Sequence, residues 1–507
     1  MSAQAQQVDS RRATGRDWLG LTVLCGAVLL IAIDGTVLDL AVPSMSKDLE
    51  PSSTQLLWII DIYSFVLAAL LVTMGVLSDR VGRRKLLMIG AAGFGLASIF
   101  AAFSTTPEML IAARVLLGVF GATLMPSTLG LIRSMFHDSR QRATAIGVWG
   151  AMWGGGAAGG PLVGGWLLEH FWWGSVFLIN VPVLIVMLIL APFLIPESRD
   201  PNPGRLDAIG AALSIVMMVP LVYALKEGAI NGPTWSLVPI VALGVVAGWL
   251  FFRRQRRIKD PLIDVTLFSK PIFTTAILIN LLCVFGLAGV LFFGTQYLQM
   301  VLGYSPLQAG LIAVPGTAAS MLTALAAGWV ARKWGNRWAL AGSMLFAAIG
   351  ALILLALRVE GDALIFAIGF GIIGLGSGLG LTLTSALVVD VVEPERAGAA
   401  SGMSETSYEL GIASGVAVLG SVVMAFYRGG IDVGGLSGAD ADAAQATLGG
   451  AVHVAHDLAS PAGDAMFVSA QAAFVNGMHF AAGATAALML ITTGVVLVLL
   501  RNHPRNQ

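Results

Sequence analysis

The sequence is poor in charge. Asp, Glu, Lys and Arg make up 11% of its 507 residues, against 57% hydrophobic, where a soluble protein carries about a quarter charged residues. With a mean hydropathy of +0.84, this excludes a soluble globular protein and leaves an integral membrane protein. No nucleic-acid partner is expected. Cysteine is almost missing: Cys25 and Cys283 both sit in apolar runs, so neither a disulfide framework nor a cysteine-rich metal site is suggested. No G-x-x-x-x-G-K-[ST] segment occurs, so ATP is not the expected power source and no cofactor is implied. A histidine or carboxylate cluster at a membrane face, as a membrane enzyme would need, is not evident. Nor is a sizeable ligand-binding domain of the kind a receptor would carry.

Apolar runs are what the chain has in abundance. Hydropathy and helix breakers place helices near 18–43, 55–78, 86–104, 108–132, 143–168 and 173–195, then 207–226 and 235–252. Six more follow near 272–298, 306–331, 338–357, 363–391, 398–426 and 471–500. Each is about long enough to cross a bilayer at ~1.5 Å per residue. The expected architecture is all-α with fourteen spans: an N-terminal half (18–195), an inserted helix pair (207–252) and a C-terminal half (272–500). A polar tail (1–17), a basic linker (253–271), a long loop (427–470) and a short tail (501–507) complete the division. The run after Asp17 is too long for the apolar core of a cleavable signal.

The near-zero net charge hides an uneven distribution. Of 29 basic residues, only Lys47, Lys226, Arg358 and Arg428 fall on one side of the membrane, and Arg114 lies within a span. The remainder lie on the other side, which the positive-inside rule makes cytoplasmic. Both termini are then expected in the cytoplasm, and the loop 427–470 outside. His453 and His456 stand at i,i+3 in that loop, without the further ligands a metal site would need.

The few charges inside spans carry the functional reading. Span 1 runs uncharged from Trp18 to Ile33 and then meets Asp34. An ionised carboxylate in hydrocarbon is costly and must face other helices, water or a cationic partner. A purely structural Asp34 is the alternative. Arg114 in span 4 needs carboxylates nearby, and depth supplies Asp34 and Asp61 in the same half of the membrane. In span 13, Glu405 and Glu409 are four apart and share a helix face. Two enclosed carboxylates that close are not expected to be charged together. Trp58, Tyr63, Trp149, Trp153, Phe285, Phe292, Phe293 and Tyr408 could line an apolar cavity that holds a cation by ring faces.

Several ordered motifs accompany these residues. Between spans 2 and 3 stand Gly75, Asp79, Arg80, Gly82, Arg83, Arg84 and Lys85, in the pattern G-x-L-x-D-R-x-G-R-R-K. It resembles the cytoplasmic signature of the major facilitator superfamily. A weaker echo, Gly328 to Arg337, follows span 10 without an acidic counterpart to Asp79. Span 5 carries Gly150, Gly154, Gly155, Gly156, Gly159, Gly160, Pro161, Gly164 and Gly165, small residues that allow close packing and a proline that bends the helix. Its G-x-x-x-G…G-P-x-x-G-G order resembles the antiporter signature of drug:proton exporters. The span 1 stretch Asp34 to Pro43, Phe177 to Pro182, and Tyr297 to Gly310 extend the likeness along the chain.

Together with fourteen spans, the sequence resembles the 14-spanner drug:proton antiporters that include QacA-like quaternary ammonium exporters. The resemblance implies export of lipophilic cations driven by protons, by a monomer in the cytoplasmic membrane. It implies Asp34, Arg114 and Asp61 in proton coupling. For the substrate the residues themselves offer Glu409, Glu405 and Asp61 with Tyr63, Trp58, Trp149, Tyr408 and Phe292. Leu117 departs from the polar residue often found before the arginine motif's glycine. An exporter of an endogenous lipid, peptide or metabolite on the same fold is the rival reading.

Overall fold

The computed structural model describes residues 12–51, 53–200, 207–231, 234–258, 261–361, 363–393, 397–433, 436, 438–458 and 461–501. Every regular element among them is helical. Helices α1 (Gly15–Leu49), α2 (Ser53–Val81), α3 (Arg83–Ala102), α4 (Pro107–Met135), α5 (Ser139–His170), α6 (Ser175–Leu178) and α7 (Asn180–Leu194) form the first half. The inserted pair is α8 (Ala208–Asn231) and α9 (Leu237–Gln255). The second half comprises α10 (Pro271–Gln296), α11 (Pro306–Trp334), α12 (Asn336–Ile353), α13 (Ala363–Asp390), α14 (Ala397–Gly430) and α17 (Pro461–Leu499). Short helices α15 (Ala439–Ala446) and α16 (Leu448–Leu458) lie between α14 and α17.

Among the described residues, twelve helices are long and apolar enough to cross a membrane. The other two long ones are α5, whose 32 residues are diluted by glycine, and α8, apolar over Ala208–Ala224. The fourteen-helix pattern therefore stands, with α6 and α7 forming one span. The main difference is at the end: α17 begins at Pro461 rather than near 471, because proline fits the first turn of a helix, where its missing N–H is no loss. The stretch from 427 is thus largely helical, folded as α15 and α16 and the start of α17.

Local chemistry sets the helix starts. Thr106 accepts from the backbone N–H of Met109 ahead of Pro107, and Ser305 with Gln308 forms a capping box ahead of Pro306. Both are favourable N-terminal devices. The two related loops, α2–α3 and α11–α12, each turn on one glycine with positive φ, Gly82 at 111° and Gly335 at 79°, a region L-residues rarely adopt.

Each half has its own apolar core. The halves meet through α2 against α14, α5 against α11, and lesser contacts of α4 with α14 and α5 with α13. Helix α8 bridges them, lying on both α2 and α14, while α9 packs on α8 and turns Val238, Val241, Val245 and Trp249 outward. At the start of α8, Asp207 accepts from Arg254 Nε at 2.8 Å and Gln255 Nε2 at 3.1 Å, which pins the pair together.

Candidate functional site

Arg114 is 2% exposed and Asp34 1%, and the two form an ion pair, Nη1 to Oδ2, at 3.0 Å. The guanidinium is held on its other sides as well. Nε donates to the Ile59 carbonyl at 3.1 Å, Nη2 to the Ile60 carbonyl at 3.3 Å, and Cζ lies 4.5 Å from the centroid of the Tyr63 ring. Helix α4 can come this close to α2 because Gly118, one turn from Arg114, has no side chain. A Cβ there would stand 2.8 Å from both the Tyr63 carbonyl and Val66. On Asp34's other oxygen, Asn180 Nδ2 donates at 3.3 Å and also reaches Ser98 Oγ at 3.2 Å. An enclosed ion pair is tolerable only with such extra hydrogen bonds. In the sequence Asn180 stands out only as part of the stretch Phe177 to Pro182, and no pattern marks Ser98.

The second half contributes acids of its own. Glu405 is buried and within electrostatic reach of Glu409. Behind them Asn280 of α10 donates to Ser404 Oγ at 3.1 Å and Thr384 Oγ1 at 3.4 Å. Tyr63 lies against the Arg114 guanidinium, and among the described residues its buried hydroxyl has no hydrogen-bond partner. On α14, one helical turn from Glu405 and next to Glu409, Tyr408 Oη accepts from Trp153 Nε1 at 2.6 Å, with the rings edge to face at 5.3 Å. This contact joins α5 of the first half to α14 of the second.

Below that contact, toward the end that carries the basic segments, the halves close on each other. A Cβ on Gly75 would strike the Gly398 carbonyl, one on Gly147 would lie 2.6 Å from the Ala324 carbonyl, and one on Gly402 2.6 Å from the Leu71 carbonyl. Asp79 sits at this seam. It accepts from the backbone N–H groups of Gly398 at 3.0 Å and Ala399 at 2.9 Å, at the start of α14, where a carboxylate is favoured by the helix dipole. It also holds Arg83 at 2.7 Å, and Arg83 in turn donates to the Gly130 carbonyl and Ser198 Oγ. Glu197 accepts from the backbone N–H groups of Arg84 and Lys85. Asp390 of α13 pairs with Arg133 at 2.8 Å and Arg142 at 3.0 Å. Arg80 is half-buried at the end of α2.

Past Trp153, α5 shows two glycine faces. Gly156 and Gly160 press on α1, where added Cβ atoms would meet the Leu29 carbonyl at 2.7 Å and Thr36 respectively. Among the described residues nothing lies within 4 Å of a Cβ added at Gly154, Gly155, Gly159 or Gly165. The side chains of Asp61 and Pro161 lie outside the described residues, as does that of His456.

The structure thus brings together Asp34, Arg114, Tyr63 and Glu409, with Glu405, Tyr408 and Trp153 beside them. It does not bring in three of the expected aromatics. Trp149 is buried in the first half, donating to Thr128 Oγ1 at 3.1 Å. Trp58 stacks on Tyr223 of α8 at 6.1 Å. Phe292 is 46% exposed, edge-on to Phe293.

Two six-helix bundles closed at one end around enclosed charges, open glycine faces beyond, define a multi-pass membrane transporter. The model of the Major Facilitator Superfamily matches residues 24–416, and the chain belongs to that family. It is 46% identical to the multidrug efflux pump LfrA of Mycolicibacterium smegmatis, over 97% of each chain. It is 36% identical to the methyl viologen resistance protein SmvA of Salmonella typhimurium, over 94% of this chain and 97% of that one. The crystal structure of the human organic anion transporter MFSD10 (TETRAN) aligns with a TM-score of 0.61, covering 96% of this chain and 99% of that one. At 16% identity that likeness bears on the fold alone.

Proposed function

We propose that the protein is a proton-driven antiporter that exports lipophilic cations, such as quaternary ammonium biocides and cationic dyes and drugs, across the cytoplasmic membrane. In this reading the basic segments and both termini face the cytoplasm, the protein acts as a monomer, and the proton gradient replaces any cofactor. The observation that carries it is the enclosed Asp34–Arg114 pair, with the Tyr63 ring against its guanidinium. Efflux and resistance proteins among the relatives support the export direction.

The geometry lends itself to exchange. Asp34 is either ionised and paired with Arg114, or protonated and released from it. The Glu405–Glu409 pair, which shares one negative charge, faces it from the other half, and Tyr63, Tyr408 and Trp153 supply ring faces for a cation. A cation entering between the halves and a proton on these carboxylates compete for the same negative charge, so one leaves as the other binds. Rocking of the halves then carries the site between faces. The contacts to be broken for the basic end to open are those of Asp79 with α14, Asp390 with Arg133 and Arg142, and Trp153 with Tyr408. Reconstitution into proteoliposomes tests the proposal. An imposed pH gradient should drive accumulation of ethidium and quaternary ammonium compounds. Movement of anionic compounds with indifference to such cations would overturn it.

A further inference from the structure

We propose that the α11–α12 junction at the basic end is a binding site for the headgroup of an anionic phospholipid. Between residues 329 and 338 the chain places three of its twelve tryptophans, Trp329, Trp334 and Trp338, each about half exposed. Their rings hold cations. Lys333 Nζ stands 4.9 Å from the Trp329 centroid and 5.7 Å from that of Trp334, and Arg337 Cζ stands 5.3 Å from that of Trp338. Arg332 is exposed alongside.

These cations differ from those of the related loop in the first half. There Arg83 is paired with Asp79 and Arg84 with Glu197. Among the described residues, Arg332, Lys333 and Arg337 form no ion pair, and the enclosed Nε of Arg337 has no hydrogen-bond partner. A phosphate offers acceptors to the exposed Arg332 and Lys333, and guanidinium and phosphate match in geometry. Basic clusters at the ends of membrane helices attract anionic lipids, and tryptophan favours the headgroup level.

The surroundings select a lipid over free phosphate. Leu322 and Leu325 continue the exposed stripe of α11 from Trp329, and Leu345 and Ile349 that of α12 from Trp338. Spacings of three, four and seven residues keep each stripe on one helix face, so acyl chains have apolar tracks directly beneath the cations. This site is independent of the transported substrate.

The test uses the full-length protein in phosphatidylcholine nanodiscs doped with phosphatidylglycerol, followed by detergent exchange and mass spectrometry of retained lipid. Wild type should retain phosphatidylglycerol over phosphatidylcholine. Each basic side chain near a charged leaflet strengthens adsorption roughly fivefold. The double variant Lys333→Gln/Arg337→Gln should therefore weaken that preference by roughly 25-fold. Arg256→Gln/Arg257→Gln, which removes as much exposed charge at the same end, should leave it intact. Independently of any variant, the wild-type preference should collapse at high salt. Equal retention of both lipids by wild type, or an equal loss in the control variant, overturns the proposal. So does complete displacement by inorganic phosphate at matched phosphorus, which would mark a free-phosphate site.

Discussion

Replacing Asp34 by Asn keeps the side chain's shape and removes both its charge and its proton. Arg114 would retain the Ile59 and Ile60 carbonyls and the Tyr63 face, but would lose the Asp34 carboxylate. Breaking an enclosed ion pair costs about 3–5 kcal/mol. Three surviving partners place Asp34→Asn at about the low end of that range. The effect on transport is sharper. If one monovalent cation displaces one proton, a pH step of one unit stores about 1.4 kcal/mol and holds a roughly tenfold cation gradient. Asp34→Asn should bring that ratio to about one while cations still equilibrate downhill. The assay is ethidium or tetraphenylphosphonium distribution in proteoliposomes with the membrane potential clamped. Adding Arg114→Gln should recover most of the lost stability without recovering the gradient, which separates the pair's structural role from its coupling role. A folded Asn variant that still sustained the tenfold ratio would refute the reasoning.

Three further outcomes are expected. Gly118→Leu should separate α4 from α2 and abolish transport with a marked drop in thermal stability, whereas Gly154→Ala, which meets nothing within 4 Å, should be neutral in the same melting assay. Asp79→Asn weakens charge-assisted bonds to α14 and to Arg83, so about 1–2 kcal/mol should shift toward opening of the basic end, seen as longer spin-label distances between the basic ends of α2 and α14. Unchanged distances would count against the seam. Tyr427 donates to the Ala444 carbonyl at 2.7 Å and reaches that of Thr447 at 3.2 Å; Tyr427→Phe should loosen α15 and α16 by about 1 kcal/mol, read as faster amide exchange over 439–458.

The helices and the candidate charges were legible in sequence for one physical reason. Hydrocarbon obliges the backbone to bond internally, so spans appear as apolar runs, and a charge inside a run is conspicuous because it is costly. Depth offered Asp34 and Asp61 as carboxylates for Arg114, and the structure pairs Arg114 with Asp34; the basic loops were legible from their composition. Partner choice across helices was not legible. Asn180 reaches Asp34 from α7 and Ser98 of α3 meets Asn180, both far away in the chain, and no local pattern marks them. Trp149 and Trp58 carry the same ring as Trp153, yet only Trp153 meets Tyr408, because helix rotation decides which face each presents. The glycines of α5 make the same point. Composition marks the helix as able to pack closely, but only the tertiary structure assigns Gly156 and Gly160 to α1 and leaves Gly154, Gly155 and Gly159 open. Which end is closed was likewise decided by contacts between halves, since a hydropathy pattern is the same whichever end the two bundles close.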